Sequence, residues 1–121
     1  MTKYAPILLF VYNRPEHLKQ TMETLQNNTL AAESKLYIYS DAARKDTDEA
    51  AVAEVRNYIH KITGFKSITL IEREKNWGLA RNIIDGVTTQ VNRFGRVIVM
   101  EDDLITAPYF WLLYTSDAAD E

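Results

Sequence analysis

The sequence predicts an α/β fold built on a mainly parallel sheet. Three observations carry that reading. Apolar runs of strand length alternate with stretches of helical spacing in the order β-α-β-α-β-α-β. The first run, Pro6-Ile7-Leu8-Leu9-Phe10-Val11-Tyr12, is apolar without alternation, as a central strand covered on both faces should be. Asn13, Asp41, Asn76 and the acidic triplet Glu101-Asp102-Asp103 each follow a strand, so polar groups gather on one rim of the sheet. In open α/β sheets the carboxyl rim is where ligands bind.

Taken in order, Asn13-Arg14-Pro15 breaks the first strand, and proline pre-sets φ for a first helical turn. Leu18, Met22 and Leu25 then place a helix over about 15–26. Residues 35–40 form the second strand, with Asp41 just past its end and a loop over 42–45. Asp46-Thr47-Asp48-Glu49 resembles a capping box, Asp46 accepting from an early amide and Glu49 reaching back. Val52, Val55, Tyr58, Ile59 and Ile62 mark the inner face of the second helix, and Gly64 is placed to stop it. The third strand spans 67–71, and 72–75 is a charged loop. Asn76-Trp77-Gly78 is turn chemistry leading into a third helix, whose expected inner face is Leu79, Ile83, Ile84, Val87 and Val91. Phe94-Gly95 ends it, and Val97-Ile98-Val99-Met100 gives a fourth strand that stops at three acids.

Composition narrows the class. With 121 residues, 46% hydrophobic and 26% charged, the chain has the make-up of one globular domain. A formal charge of −3 with no Lys/Arg block leaves no basic footprint for nucleic acid. The absence of cysteine removes disulfide and thiolate chemistry and suits a reducing compartment. The apolar run at 5–12 is too short for a transmembrane segment, and no cleavage-site pattern follows it. The expected setting is cytoplasmic, with peripheral membrane association of a longer protein left open.

The acids are the sharpest chemical signal. Carboxylates are costly to desolvate, so Glu101, Asp102 and Asp103 belong where the strand emerges. Hard oxygen donors there suit Mg²⁺ or Mn²⁺ with a phosphate-bearing ligand; a solvated acidic loop is the competing reading. Neither a G-x-G-x-x-G segment nor a P-loop is present, so a bound diphosphate needs a metal and arginines. Arg14, Arg44 and Arg81 are the candidates near the rim, although Arg44 reads better as a surface residue. Asp41 fits a base or ribose contact or a turn cap, and taken on its own the turn cap is the better reading. His17 and His60 lack a second histidine at ligand spacing and read as ordinary helix residues. Tyr37 and Tyr39 share a strand face, where packing is the economical explanation. Trp77 fits either a cover over a ligand or a loop side chain packed on a helix.

Four pieces in order resemble the glycosyltransferase A-fold enzymes, which transfer sugars from nucleotide-diphosphate donors. These are Tyr12-Asn13-Arg14-Pro15, the strand ending in Asp41, Asn76-Trp77-Gly78-Leu79-Ala80-Arg81-Asn82, and Glu101-Asp102-Asp103. The last two are similar to the Asn-x-Gly…Arg-Asn segment and Asp-x-Asp motif of family two. The Glu-Asp-Asp form is nearer to the N-acetylglucosaminyltransferase I group. The resemblance covers about 5–110 and implies the N-terminal half of that fold, with a Rossmann-like sheet. It implies a divalent cation, Mn²⁺ or Mg²⁺, held by Asp103, with Asp102 on the donor ribose or sugar. Asp41 and Arg14 would hold the nucleoside, and Asn76 and Arg81 would lie along the nucleotide. The donor would be a nucleotide sugar, a uridine diphosphate sugar first among them, and the acceptor a saccharide or glycoconjugate.

In such enzymes acceptor recognition and the general base belong to a later half, so the catalytic residue is unknown. Residues 1–111 are then the donor-binding half, expected to be inactive alone. Residues 112–121 resemble the conceptual translation of a transposon-type sequencing-library adapter, a non-native tail expected to add nothing to the sheet. A nucleotidyltransferase of similar topology is the second reading, although 13–16 is not the glycine-rich basic loop such enzymes carry. A non-catalytic α/β binding domain is the third.

Overall fold

A computed structural model describes residues 5–27 and 31–101, and the backbone of 112–115. Strands β1 (Ile7–Val11), β2 (Lys35–Ser40), β3 (Ser67–Glu72) and β4 (Arg96–Glu101) alternate with helices α1 (Pro15–Gln26), α2 (Glu49–Ile59) and α3 (Leu79–Phe94). A further strand, β5, spans Leu112–Thr115. The sheet order is β3-β2-β1-β4-β5. The first four strands run parallel and β5 pairs antiparallel to β4. This is the expected α/β fold with a mainly parallel sheet.

Successive side chains of a strand point to opposite faces, so each strand feeds two cores. Ile7, Leu9, Val11, Leu36, Ile38 and Met100 meet Leu18, Met22 and Leu25 of α1 and Val55 and Ile59 of α2. Leu8, Phe10, Tyr37, Tyr39, Val97 and Val99 face the other way, where Ile83, Val87, Val91 and Phe94 of α3 pack. Growth from β1 to β2 and β3 on one side, and then to β4 on the other, places a topological switch point between β1 and β4. No helix among the described residues is long and apolar enough to cross a membrane.

The inner face of α3 differs from its expected one. Ile83, Val87 and Val91 pack as anticipated, but Leu79 is 55% exposed and Ile84 67% exposed. The buried positions are instead Asn82, Gly86 and Gln90, one helical turn apart. The sheet face explains this. It presents Phe10 and Tyr39 stacked with centroids 5.1 Å apart, so the helix can close on it only through a residue without a side chain. A Cβ on Gly86 would lie 2.9 Å from Phe10 Cζ and 3.1 Å from Tyr39 Cε1. The buried Tyr39 hydroxyl also needs a polar neighbour, and Gln90 Nε2 donates to it at 3.0 Å.

The other departures are local. Asp46–Asp48 is a 3₁₀ turn, and α2 begins at Glu49 with no side-chain cap, so the capping box does not form. The neighbouring Asp48 carboxylate accepts from Tyr12 Oη at 2.9 Å and Asn13 Nδ2 at 3.1 Å, joining this turn to the end of β1. β3 is an edge strand, with Ser67 and Thr69 exposed, so it is not buried like β1 and β2. The expectation that 112–121 adds nothing to the sheet is corrected for 112–115. Those residues pair with β4 from Val99↔Leu112 to Arg96↔Thr115. Leu-Leu-Tyr-Thr favours extended backbone, and the outer edge of β4 supplies its partners.

Two outcomes follow from the α3 interface. Gly86→Val overpacks the rings and should cost about 1–3 kcal/mol, read as a lower denaturation midpoint; an unchanged midpoint would show that the rings yield freely. Burial also pushes the Tyr39 phenol above its ordinary value, with the Gln90 hydrogen bond opposing. Its stabilising contribution is whole below the unfolded value of about 10 and is lost as pH rises through the higher folded value. Stability should therefore fall above about pH 10, less steeply in Tyr39→Phe than in wild type. Equal slopes would remove Tyr39 as a source; burial raises Tyr12 and Tyr58 as well, so a residual slope is expected.

Candidate functional site

β1 leaves the sheet through Tyr12, Asn13 and Arg14, and Pro15 at the first turn of α1 fixes that exit. The Tyr12 hydroxyl donates to Asp48 and accepts from the Arg44 amide at 2.8 Å, tying the loop after β2 to the end of β1. Burial raises this phenol, against the amide bond that lowers it, with Asp48 adding to the rise.

The end of β2 is tied more tightly. Asp41 is 5% exposed, and its amide continues the ladder by donating to Val11 O at 3.1 Å. Oδ1 accepts from the amides of Ala42 and Trp77, both at 2.9 Å. Oδ2 accepts from the Gly78 amide at 2.9 Å and Asn76 Nδ2 at 3.1 Å. Asn76 Nδ2 also donates to Ala42 O at 2.8 Å. Of the two sequence readings of Asp41, the geometry realises the turn cap. Gly78 sits at φ 86°, ψ 155°, a backbone that L side chains rarely adopt, and that conformation lets its amide face Asp41. Asn82 holds the Gly78 carbonyl from the other side, Nδ2 to O at 3.0 Å.

Arg73 pins this turn from β3. Its Nε donates to Asn82 Oδ1 at 2.9 Å, its Nη2 to Asp85 Oδ2 at 2.7 Å, and its guanidinium lies 3.6 Å from the Trp77 ring centroid. Arg56 of α2 donates to Ser40 Oγ, Ser40 O and Arg73 O, locking the ends of β2 and β3 together. Neither Arg73 nor Asn82 was singled out by the sequence reading. Asn82 stood within the quoted segment, whereas Arg73 was absorbed into a charged loop. The available signal was its place immediately after a strand, the same place that marked Asp41.

These elements enclose a cleft of about 400 Å³ lined by Phe10, Val11, Tyr12, Asn13, Arg14, Tyr39, Asp41, Arg44, Asn76, Gly78, Leu79 and Asn82. Arg14, Asp41 and Asn76 are thus brought together as expected, and Arg44 joins them. Arg81 is not in this wall. It is exposed, 4.1 Å from the Trp77 centroid, and borders a second depression with Ile84, Asp85, Thr88 and Thr89. Glu101, partly buried, ends β4 opposite Phe10 of the cleft. Asp102 and Asp103 follow it in the sequence and lie outside the described residues. Among the described residues no cluster of three His, Cys, Asp or Glu side chains is placed to hold a metal. His60 is exposed and meets Glu72 at 3.0 Å, and neither histidine lines the cleft.

The Trp77 and Gly78 amides, both part-buried, depend on Asp41 for their acceptor. Asp41→Ala strips the Trp77 and Gly78 amides of their acceptor and should cost at least about 2 kcal/mol of unfolding free energy. Chemical denaturation checks this; a loss below about 0.5 kcal/mol, the ordinary surface effect, would show the turn to be held without it.

Comparison with known proteins agrees with this architecture. Residues 7–121 match the family described as glycosyl transferase family 2. Among solved structures, the mannosyltransferase PcManGT from Pyrobaculum calidifontis, determined in complex with GDP-Man and Mn²⁺, has a TM-score of 0.52 and 15% identity to this chain. The likeness covers 84% of this chain and 29% of that one, and at such identity it shows the fold. No curated protein matches. A Rossmann-like parallel sheet with its cleft at the carboxyl rim, and a family match over nearly the whole chain, lead to one conclusion: the chain belongs to glycosyl transferase family 2, and its sheet corresponds to the N-terminal half of the glycosyltransferase A fold.

Proposed function

We propose that residues 1–111 form the donor-binding half of a metal-dependent glycosyltransferase. Its donor is a nucleotide-diphosphate sugar, and its acceptor a saccharide or glycoconjugate. The observation that carries this is the cleft at the carboxyl ends of β1 and β2, where Arg14, Asp41 and Asn76 converge, with β4 the next strand beyond β1. The Glu-Asp-Asp run follows directly from that strand. The structural neighbour PcManGT forms a complex with GDP-Man and Mn²⁺, which favours a nucleotide-sugar donor with a divalent cation here as well. The reading needs no residue beyond 103, so it does not depend on the origin of 112–121.

The chain's own groups divide the work. Arg14 and Arg44, both exposed at the cleft, draw an anionic ligand in and suit bidentate contacts to its oxygens. Phe10 and Tyr39 give the cleft an apolar inner wall for a nucleoside, and Leu79 lies at its mouth. Asn76 shapes the nucleotide side of the wall, with Arg81 further along α3. Asp102 is assigned to the donor ribose or sugar. Asp103 is assigned to a Mn²⁺ or Mg²⁺ ion, whose chemistry when bound is to offset charge on the departing diphosphate. Hard carboxylate oxygens suit either ion. Acceptor recognition and the general base are assigned to the later half of the fold. Transfer of a hexosyl or N-acetylhexosaminyl group is the finer expectation, the second resting on the likeness of Glu101-Asp102-Asp103 to the N-acetylglucosaminyltransferase I form.

Calorimetric titration of the chain with Mn²⁺ and a panel of uridine and guanosine diphosphate sugars tests the reading. Asp103→Asn keeps the shape and removes a charge that the cation needs. It should weaken Mn²⁺-dependent binding at least tenfold, about 1.4 kcal/mol. Unchanged affinity in a folded variant would take Asp103 out of the site. No binding of any nucleotide sugar by wild type would favour a non-catalytic domain.

A further inference from the structure

We propose that β3 is a self-association edge, on which a second copy of this chain pairs antiparallel through its own β3 about a two-fold axis at Thr69. The inference uses the sheet alone and is independent of the donor reading above.

β4 has β5 on its outer side, but nothing among the described residues pairs with the outer side of β3. An unpaired edge carries a row of open amides and carbonyls, which proteins commonly blunt with proline or a bulge. β3 carries neither. No proline lies within 66–73, and the register with β2 runs unbroken from Lys35↔Ser67 to Ser40↔Glu72. Both ends are tied down, the Lys66 amide donating to Ser34 O and the Arg73 amide to Ser40 O, each at 2.9 Å. Arg73 turns its amide toward β2, so strand alternation turns the backbone groups of Ile68, Leu70 and Glu72 outward.

The strand's self-complementarity points to a second copy as the partner. Read against its own reverse, the stretch 66–72 sets Lys66 opposite Glu72, Ser67 opposite Ile71, Ile68 opposite Leu70 and Thr69 opposite itself. Ile68 and Leu70, both with outward backbone groups, then form the hydrogen-bonded pairs of an antiparallel ladder. Both pack on the core that holds Val55 and Ile59 of α2, so pairing continues that apolar layer across the seam. Thr69 is exposed on the other face, where a threonine pair at the axis is favourable. Lys66 and Glu72 are exposed at the two ends. Among the described residues nothing engages the Lys66 ammonium, and Glu72 meets His60 through Oε2 at 3.0 Å, which leaves Oε1. Lysine alone would repel a second edge, whereas the mirrored acid turns that repulsion into two ion pairs. Sliding the register by two residues sets Lys66 against Leu70 or Glu72 against Ile68. The charges and the apolar pairs therefore select the same alignment. A foreign strand would have to supply this pattern, and a second copy supplies it by symmetry. The axis stands normal to the sheet, so the two carboxyl rims point opposite ways and both clefts stay open.

A six-residue ribbon buries less than the roughly 1,200 Å² of a stable interface, so the dimer is a weak one. Sedimentation velocity of the full chain from about 5 to 500 µM should show monomer giving way to dimer. Lys66→Glu and Glu72→Lys each set like charges at both ends of the ribbon and should weaken association at least about tenfold. Mixed in equal amounts, the two variants present acid to lysine at both ends and should pair about as tightly as wild type. Thr69→Lys sets two ammoniums against each other at the axis and gives a second route to monomer should a charge variant fail to fold. Wild type that stays monomeric throughout overturns the inference, as do assemblies larger than a dimer. Dimers unmoved by these substitutions, or folded charge variants that stay apart when mixed, overturn it equally.

Discussion

The arrangement of this rim depends on one buried carboxylate. Asp41 lies at the end of a central strand, 5% exposed, where an ionised group left without partners would be strongly disfavoured. The partners come from a turn far along the chain, Asn76-Trp77-Gly78, so satisfying that charge fixes where the turn must be. The turn is also the first step of α3, and α3 is the helix that covers its face of the sheet. Placing one therefore places the other. Gly86 then meets Phe10 and Tyr39, Gln90 meets the Tyr39 hydroxyl, and Asn82 reaches both Gly78 and Arg73. A local electrostatic requirement is thereby converted into the register of a helix on a sheet.

This chain of dependence explains which parts of the fold could be read from the sequence. The strands and the first helix were legible because apolar runs and helical spacing report burial directly, and α1 begins at Pro15 as its chemistry dictates. The inner face of α3 was misassigned because counting apolar residues assumes an aliphatic surface opposite. Here the surface is aromatic and carries a hydroxyl, so the positions of closest approach are a glycine and two amides. Leu79 and Ile84 satisfied the periodicity and still face outward. The capping box failed for a different reason. Asp46 and Glu49 have the right spacing, but residues 46–48 form a 3₁₀ turn and α2 begins only at Glu49, so the two do not stand at the cap and third helical positions.

The site divides along the same line. Arg14, Asp41 and Asn76 line one cleft because each follows a strand, and topology alone carries such residues to the rim. What topology does not tell is which groups face a ligand and which are spent on the protein. The two arginines beside Trp77 show the difference. Arg81, inside the family-like segment, is exposed and outside the cleft, whereas Arg73, in an unremarked charged stretch, is nearly buried and bonded to Asn82 and Asp85. Their chemistry is the same. Only the positions of Asn82 and Asp85 on α3 separate a structural guanidinium from a surface one.

Sorting the rim's charges in this way leaves a remainder with functional meaning. Asp41 is matched by amides, Arg73 by Asp85 and Asn82, and Arg56 by the carbonyls of Ser40 and Arg73. Among the described residues, no hydrogen bond or ion pair engages the Arg14 or Arg44 guanidinium, and both border the cleft. Internal matching therefore neutralises the framework and leaves positive charge at the entrance, although the whole chain carries a formal −3. Exposed cations of this kind add little to folding stability, since solvent screens them. Their field over a concave apolar wall matters more for what approaches from water, raising the local concentration of an anionic partner. A cleft whose walls are held by satisfied charges and whose mouth keeps unsatisfied ones is suited to a ligand that is apolar at one end and anionic at the other.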